Sequence, residues 1–196
     1  MLTIGLTGKT GAGKSTVALY LKAKGCKIID GDVIARSITE KGSEVLPQLQ
    51  KAFGEDILDE NGCLIRKLLA QRAFSSREST ELLNSITHPI IKEKCEKEIE
   101  KGKADGYNTF VIDAAALLES SCKELCDKIV VVTAPESIRL DRILKRDGIS
   151  LTQAQTRIKA QRDDEYYFSR ADIIIRNYPP YDEGEDRYRE LEELIN

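Results

Sequence analysis

Five short runs of apolar and β-branched residues punctuate an otherwise polar chain: Leu2 to Leu6, Cys26 to Ile29, Thr109 to Ile112, Lys128 to Val132 and Asp172 to Ile175. Continuous apolar runs of this length predict strands buried on both faces, as in a parallel sheet covered by helices. Segments with helical spacing separate them, so strands and helices alternate. The first unit is compact: a strand, a Gly-rich turn, a helix from about Lys14 to Lys24 stopped by Gly25, then the second strand. From about Val33 to Gly106 the spacing is helical throughout. Leu46, Leu49 and Phe53 share one helix face, and Ile91, Cys95 and Ile99 share another, on a helix that Pro89 is placed to open at its first turn. This block reads as a helical insertion into a sheet domain, with the alternating lysines and glutamates of Lys92 to Lys101 as a solvated face. After the fourth strand the pattern predicts a helix near Glu136 to Arg146, a turn at Asp147-Gly148, and a capping box at Ser150-x-x-Gln153 that starts another helix. The segment Asp182 to Asn196 is rich in acids, with Tyr188, Leu191 and Ile195 at helical spacing, and reads as a surface helix packed on the core.

Composition narrows the partners. The 196 residues suit one domain with a small inserted subdomain. Thirty basic against 33 acidic side chains give a net charge of -3, so no bulk positive field exists to hold nucleic acid or an anionic membrane, and any bound anion must be gripped locally. Thr7 and Gly8 end the first apolar run before a signal-peptide core could form, and no run reaches the roughly 20 apolar residues of a membrane span. The five cysteines (Cys26, Cys63, Cys95, Cys122, Cys126) are odd in number and form no C-x-x-C pair. Together these features predict a reduced, cytoplasmic protein. Cys122 and Cys126, four apart, can share a helix face, but with one histidine in the chain ordinary thiols are expected there rather than a zinc site.

Gly8-Lys9-Thr10-Gly11-Ala12-Gly13-Lys14-Ser15 matches G-x-x-x-x-G-K-[ST] in full, directly after a strand and before a helix. The glycines let backbone N–H groups curl around phosphates at the positive end of the helix dipole. Lys14 brings a mobile charge to the β and γ oxygens, and Ser15 a hydroxyl for Mg²⁺. A nucleoside triphosphate site follows. No N-K-x-D motif follows a strand, which argues against a GTPase switch, and the single strand ending in an aspartate, Thr109 to Asp113, leaves no room for a motor domain. A small metabolite or nucleotide kinase fits better; a binding module without turnover is the rival.

Such a kinase needs a carboxylate to orient the acceptor and an arginine-bearing lid. Asp30 and Asp32 follow the second strand at the sheet end that faces the ligand crevice. Asp32 is placed to orient a substrate hydroxyl or take its proton; the alternative is that Asp-Gly-Asp is a turn capping the next helix. Arg142, Arg146, Arg157 and Arg162 flank a Gly turn and form either a lid or a solvated helical surface.

The chain resembles the dephospho-CoA kinases over nearly its whole length and in order. The resemblance rests on Ile4 to Gly8 through Lys14-Ser15-Thr16, Ile29 to Arg36, Asn84 to Pro89 ending in His-Pro, Asp113 to Glu119, Arg139 to Arg146, Arg157-x-x-x-Gln161, and Ala171-Asp172 to Asn177. The P-loop is shared by many kinases, whereas I-D-x-D-x-I-A-R together with His-Pro and the late A-D-x-x-x-x-N is far more specific. The resemblance implies transfer of the ATP γ-phosphoryl group to the ribose 3'-hydroxyl of dephospho-CoA, with Mg²⁺. It implies an α/β P-loop fold: a five-stranded parallel sheet flanked by helices, with a nucleotide-binding core over 1–32 and 107–196, a helical acceptor subdomain over 33–106 and a lid over 145–165. It further implies Asp32, Lys14 and Arg142 as catalytic groups. Gly8, Gly11, Ala12, Gly13, Lys14, Ser15, Thr16, Arg142, Arg146 and Asn177 would face the nucleotide, Asn177 at the adenine, and Asp32 and Arg36 the acceptor. His88 is expected to serve local structure at a helix start. The small-molecule substrates suit a monomer or weak homo-oligomer.

Three departures from that family pattern stand out. Lys9-Thr10 replaces glycine and an aliphatic residue, predicting an extra charge beside the phosphates. Gly31 replaces alanine, predicting a more flexible loop at Asp32. Ala115-Ala116-Leu117-Leu118-Glu119 replaces a P-L-L-F-E-like run and leaves the packing at the end of the third strand open.

Overall fold

The computed structural model describes residues 1–179 and 187–196. Strand β1 (Leu2–Gly8) leads through the Gly-rich turn into α1 (Lys14–Ala23), and β2 (Lys27–Asp30) passes directly into α2 (Gly31–Ser37). Helices α3 (Val45–Phe53), α4 (Arg66–Ala73) and α5 (Arg77–Ala104) follow, before β3 (Thr109–Asp113) returns the chain to the sheet. Then come β4 (Lys128–Thr133), α6 (Glu136–Asp147), α7 (Leu151–Lys159), α8 (Asp164–Phe168), β5 (Ile173–Arg176) and α9 (Arg189–Ile195). The five strands are parallel in the order β2-β3-β1-β4-β5, as the alternation predicts.

Parallel pairing explains why the strands read as unbroken apolar runs: both faces are covered. On one face Val17 and Leu21 of α1 and Leu191 of α9 pack against Ile4, Leu6, Val111, Val130 and Val132. On the other, Cys95 and Ile99 of α5 pack with Phe110, Ile112 and Leu117. The helical block has a core of its own, in which Leu49, Phe53, Ile57, Leu69 and Ala73 cluster. The capping box at Ser150 and Gln153 forms as its pattern predicts. Tyr188 and Leu191 are buried, so the last helix docks on the core; Asp182, Glu183, Glu185 and Asp186 lie outside the described residues.

Pro89 does not open a helix. It sits inside α5, which runs 28 residues from a Ser76 cap that accepts from the Ser79 N–H. Proline cannot donate to the Ser85 carbonyl four residues back, but Ser85 and Pro89 both face outward, where water can serve that oxygen. The buried side of the same helix, with Cys95, Ile99 and Gly102, carries the element through.

Gly31 likewise belongs to a helix rather than a flexible loop. It is the buried first residue of α2, where an added Cβ would come 2.9 Å from the Ala114 Cβ. Close approach of two chain segments, rather than mobility, accounts for the missing methyl there.

Candidate active site

The site is assembled at the carboxyl edge of the sheet, where β1, β2 and β3 all end. In-register pairing puts Leu6 and Asp30 on either side of Asp113. Asp30 caps α2 by accepting from the Val33 N–H at 2.8 Å. The first aspartate is thus the cap that one reading of Asp-Gly-Asp expects, and the second, Asp32, lies in the first turn of α2. The Ala115 N–H points at both Asp32 oxygens, at 3.3 and 3.4 Å. The Ala115 carbonyl accepts from Thr7 Oγ1 at 3.2 Å, which settles how the end of β3 packs.

The P-loop is shaped from behind. Gly11 and Gly13 have φ of +79° and +92°, a left-handed backbone that side chains resist. A Cβ on Gly11 would come 2.6 Å from the Arg139 carbonyl oxygen, and one on Gly13 2.0 Å from Asn177 Nδ2. The loop's carbonyls turn outward to donors: Arg142 gives Nη1 to Gly11 O at 3.2 Å and Ala12 O at 3.0 Å, and Asn177 gives Nδ2 to Ala12 O at 3.0 Å and Gly13 O at 3.3 Å. With its carbonyls held from outside, the loop is free to aim N–H groups inward at an anion. Arg142 also donates to Asn177 O at 2.8 Å, and Arg187 donates to Asn177 Oδ1 at 3.0 Å. Arg142 and Asn177 thus lie against the phosphate loop, with these donors committed to its backbone.

Lys14, the first residue of α1, has its ammonium on Asp113 Oδ1. Burial pushes the Asp113 carboxyl above the usual carboxylate range, against the pull of Lys14. Ser15 and Thr16 are exposed at the start of α1, and Arg36 is exposed on α2. Among the described residues no three acidic, histidine or cysteine side chains converge as a metal cage. A Mg²⁺ that arrives on phosphate oxygens needs only one or two protein oxygens, and the Ser15 hydroxyl with the carboxylates at this edge supplies that donor chemistry.

The arginine-bearing segment hangs from Asp147. Its carboxylate takes Arg146 Nε at 2.7 Å and Arg157 Nη1 at 2.6 Å, and Arg146 holds it below the usual carboxylate range. Arg162 lies over the Tyr166 ring at 5.5 Å. Lys9 pairs with Asp164 at 2.5 Å, so the extra charge in the loop is turned toward α8. Sequence reasoning missed Arg139 and Gln161 as contacts of the loop. Both lay within family blocks, but which backbone atoms they meet leaves no trace in spacing.

Elsewhere, Cys122 Sγ lies 3.5 Å from Cys95 Sγ, and Cys126 Sγ donates to the Cys122 carbonyl. His88 is half-buried; its carbonyl accepts from Ser121 Oγ at 3.0 Å.

A strand, a Gly-rich phosphate loop, a helix-opening lysine and a carboxylate at the adjacent strand end define a P-loop kinase. A model of the dephospho-CoA kinase family matches residues 2–182, and the chain belongs to that family. A dephospho-CoA kinase of Corynebacterium diphtheriae is 44% identical over 191 residues, covering 97% of this chain and 96% of that protein. One from Fusobacterium nucleatum is 40% identical over 177 residues, covering 90% and 91%. Among solved structures, dephospho-CoA kinase from Campylobacter jejuni superposes with a TM-score of 0.58 at 27% identity, over 99% of this chain and 97% of that one. Shikimate kinase from Acinetobacter baumannii shares the fold, with a TM-score of 0.51 at 14% identity, over 100% and 90%.

Proposed function

We propose that this protein transfers the γ-phosphoryl group of ATP to the ribose 3'-hydroxyl of dephospho-CoA, forming coenzyme A and ADP. Membership of the family supports the reaction. The single observation that best supports the site is the Lys14 ammonium on Asp113 at the end of β3, with Asp32 on the Ala115 N–H two residues further along that chain segment.

Phosphoryl transfer asks mainly for positioning and charge neutralisation. The loop from Gly8 to Thr16 cradles the phosphates, and Lys14 moves from Asp113 to the β and γ oxygens as they arrive. Asp32, fixed in the first turn of α2 and steadied by the Ala115 N–H, orients the acceptor hydroxyl and takes its proton. Arg142 and Asn177 serve the nucleotide by keeping the loop open, with the adenine beside Asn177. Arg146 and Arg157 close from the lid. Mg²⁺, held at Ser15, neutralises developing charge on the phosphates when bound.

The acceptor lies over 33–106. A groove of about 230 Å³ beside α2, lined by Ala35, Ile38, Leu69, Phe74 and Arg66, supports that seat, and Arg36 is the exposed residue next to Ala35 on α2. The core spans 1–32 and 107–196, and the lid 145–165. The protein acts as a monomer or weak homo-oligomer on these small-molecule substrates. The five free thiols support a reducing, cytoplasmic setting.

The test is ADP release from Mg²⁺-ATP with dephospho-CoA, adenosine or shikimate as acceptor, with the product weighed by mass spectrometry. Turnover confined to dephospho-CoA, with a product heavier by one phosphoryl group, is expected. Turnover on another acceptor, or on none, overturns the assignment.

A further inference from the structure

Arg139 lies on α6 one turn before Arg142 and is only 4% exposed. Its Nη1 reaches the Thr10 carbonyl at 3.5 Å and Gln161 Oε1 at 3.4 Å, and its Nε is buried with no hydrogen-bond partner. Among the described residues no carboxylate comes within ion-pair distance of it. A guanidinium buried against neutral oxygens, one nitrogen unserved, is costly unless something else draws on its charge.

Its surroundings indicate what that is. Gln161 Oε1 also accepts the Thr10 N–H at 3.0 Å, so the phosphate loop, α6 and the segment between α7 and α8 meet on one amide oxygen. Lys9 and Asp164 fasten the same segment on the other side of Thr10. The uncompensated charge therefore sits directly behind the third residue of the loop that receives the triphosphate.

We propose that Arg139 is a positioning residue with two tasks: its unpaired charge adds to the anion-binding field of the phosphate loop, and through Gln161 it fixes the end of the lid to that loop. This rests on the reading of Gly8 to Ser15 as the ATP phosphate site. Low local polarity makes such a fixed charge more effective than one in solvent.

Two substitutions cancel the charge by different routes. Arg139→Gln removes it while keeping a donor for Gln161; Gln161→Glu keeps it but gives it a carboxylate. Arg139→Lys retains it. Affinities for ATP, ADP and AMP are measured by calorimetry on the full chain, alongside Tm and the KM and kcat of the kinase reaction. Each charge-cancelling variant is expected to weaken ATP binding about tenfold, with a smaller effect on ADP and least on AMP. Tm is expected to hold or rise, because a buried charge has been removed or paired. Arg139→Lys is expected to stay within about threefold of the parent.

A merely structural role moves Tm and affinity down together and treats the three nucleotides alike; that result, or unchanged ATP affinity, overturns the proposal. Gln161→Glu keeps the test open if Arg139→Gln does not fold. Lys14→Ala serves as the reference. If it loses ATP affinity while both charge-cancelling variants do not, only the proposal fails. If it loses none, the phosphate-site reading fails and takes the proposal with it.

Discussion

The backbone N–H of Ala115 is shared between the two carboxylate oxygens of Asp32, across 83 residues of sequence. The contact is long, and Asp32 is held chiefly by its place in the first turn of α2. Asp32→Asn therefore keeps its position and loses its basicity. Its kcat is expected to fall by roughly 10²–10⁴ with ATP affinity little changed. Ala115→Pro removes the donor and fixes φ as the proline of the family pattern does, and its kcat should drop by less than about tenfold, the range of one ordinary hydrogen bond. Steady-state kinetics with ATP and acceptor varied separately check both; an Asp32→Asn enzyme with full turnover would remove the aspartate from the chemistry.

Gly13 and Asn177 are fitted to each other, since an added Cβ at Gly13 meets the Asn177 amide at 2.0 Å. Gly13→Ala is expected to cost about 1–3 kcal/mol from the left-handed backbone, with a further loss from the clash. Asn177→Ala loses the donors to Ala12 and Gly13. The double variant should be more stable than the sum of the singles predicts, because the clash disappears while the backbone strain stays. Denaturant unfolding of the four proteins reads this coupling, and strictly additive losses would contradict it.

Asp147, the last residue of α6, reaches across to Arg157 of α7 and also holds its own neighbour Arg146. Ion pairs at the protein surface are screened and add little to global stability, so Asp147→Asn should leave Tm nearly unchanged. Its effect is expected in local opening: faster hydrogen exchange across 148–160, suppressed again by ATP if the freed arginines meet the phosphates. Unchanged exchange would show that the hydrophobic contact of Ile143 with Ala154 and Ile158 holds the segment unaided.

The sheet, the phosphate loop and the Ser150 capping box are legible in the sequence because each rests on local pattern: unbroken apolar runs, glycines at fixed spacing, a hydroxyl three residues before an amide. The place of Asp32 is legible for the same reason, two residues past a strand end. What escapes is contact between side chains and distant backbone. Arg142 reaches Ala12 across 130 residues and Asn177 reaches it across 165, and no period links them. Pro89 misleads for the opposite reason. A local rule starts a helix there, but the helix is already under way, and the buried face of α5 outweighs one missing hydrogen bond on its wet side.

His88 is the only histidine in the chain, which makes its titration separable from every carboxylate. Burial, with Lys123 nearby, holds its imidazole below the usual value. The folded protein therefore binds fewer protons at this site than the unfolded chain does. Stability linked to His88 is fully present above the unfolded value of about 6.5 and is lost as pH falls through that region toward the lower folded value. Unfolding free energy is expected to decline between about pH 7 and pH 5 in the parent protein. His88→Gln, which cannot take up that proton, should give a flatter profile over the same interval. Urea melts at half-unit steps of pH check it, and parallel profiles for the two proteins would place the acid sensitivity on other groups.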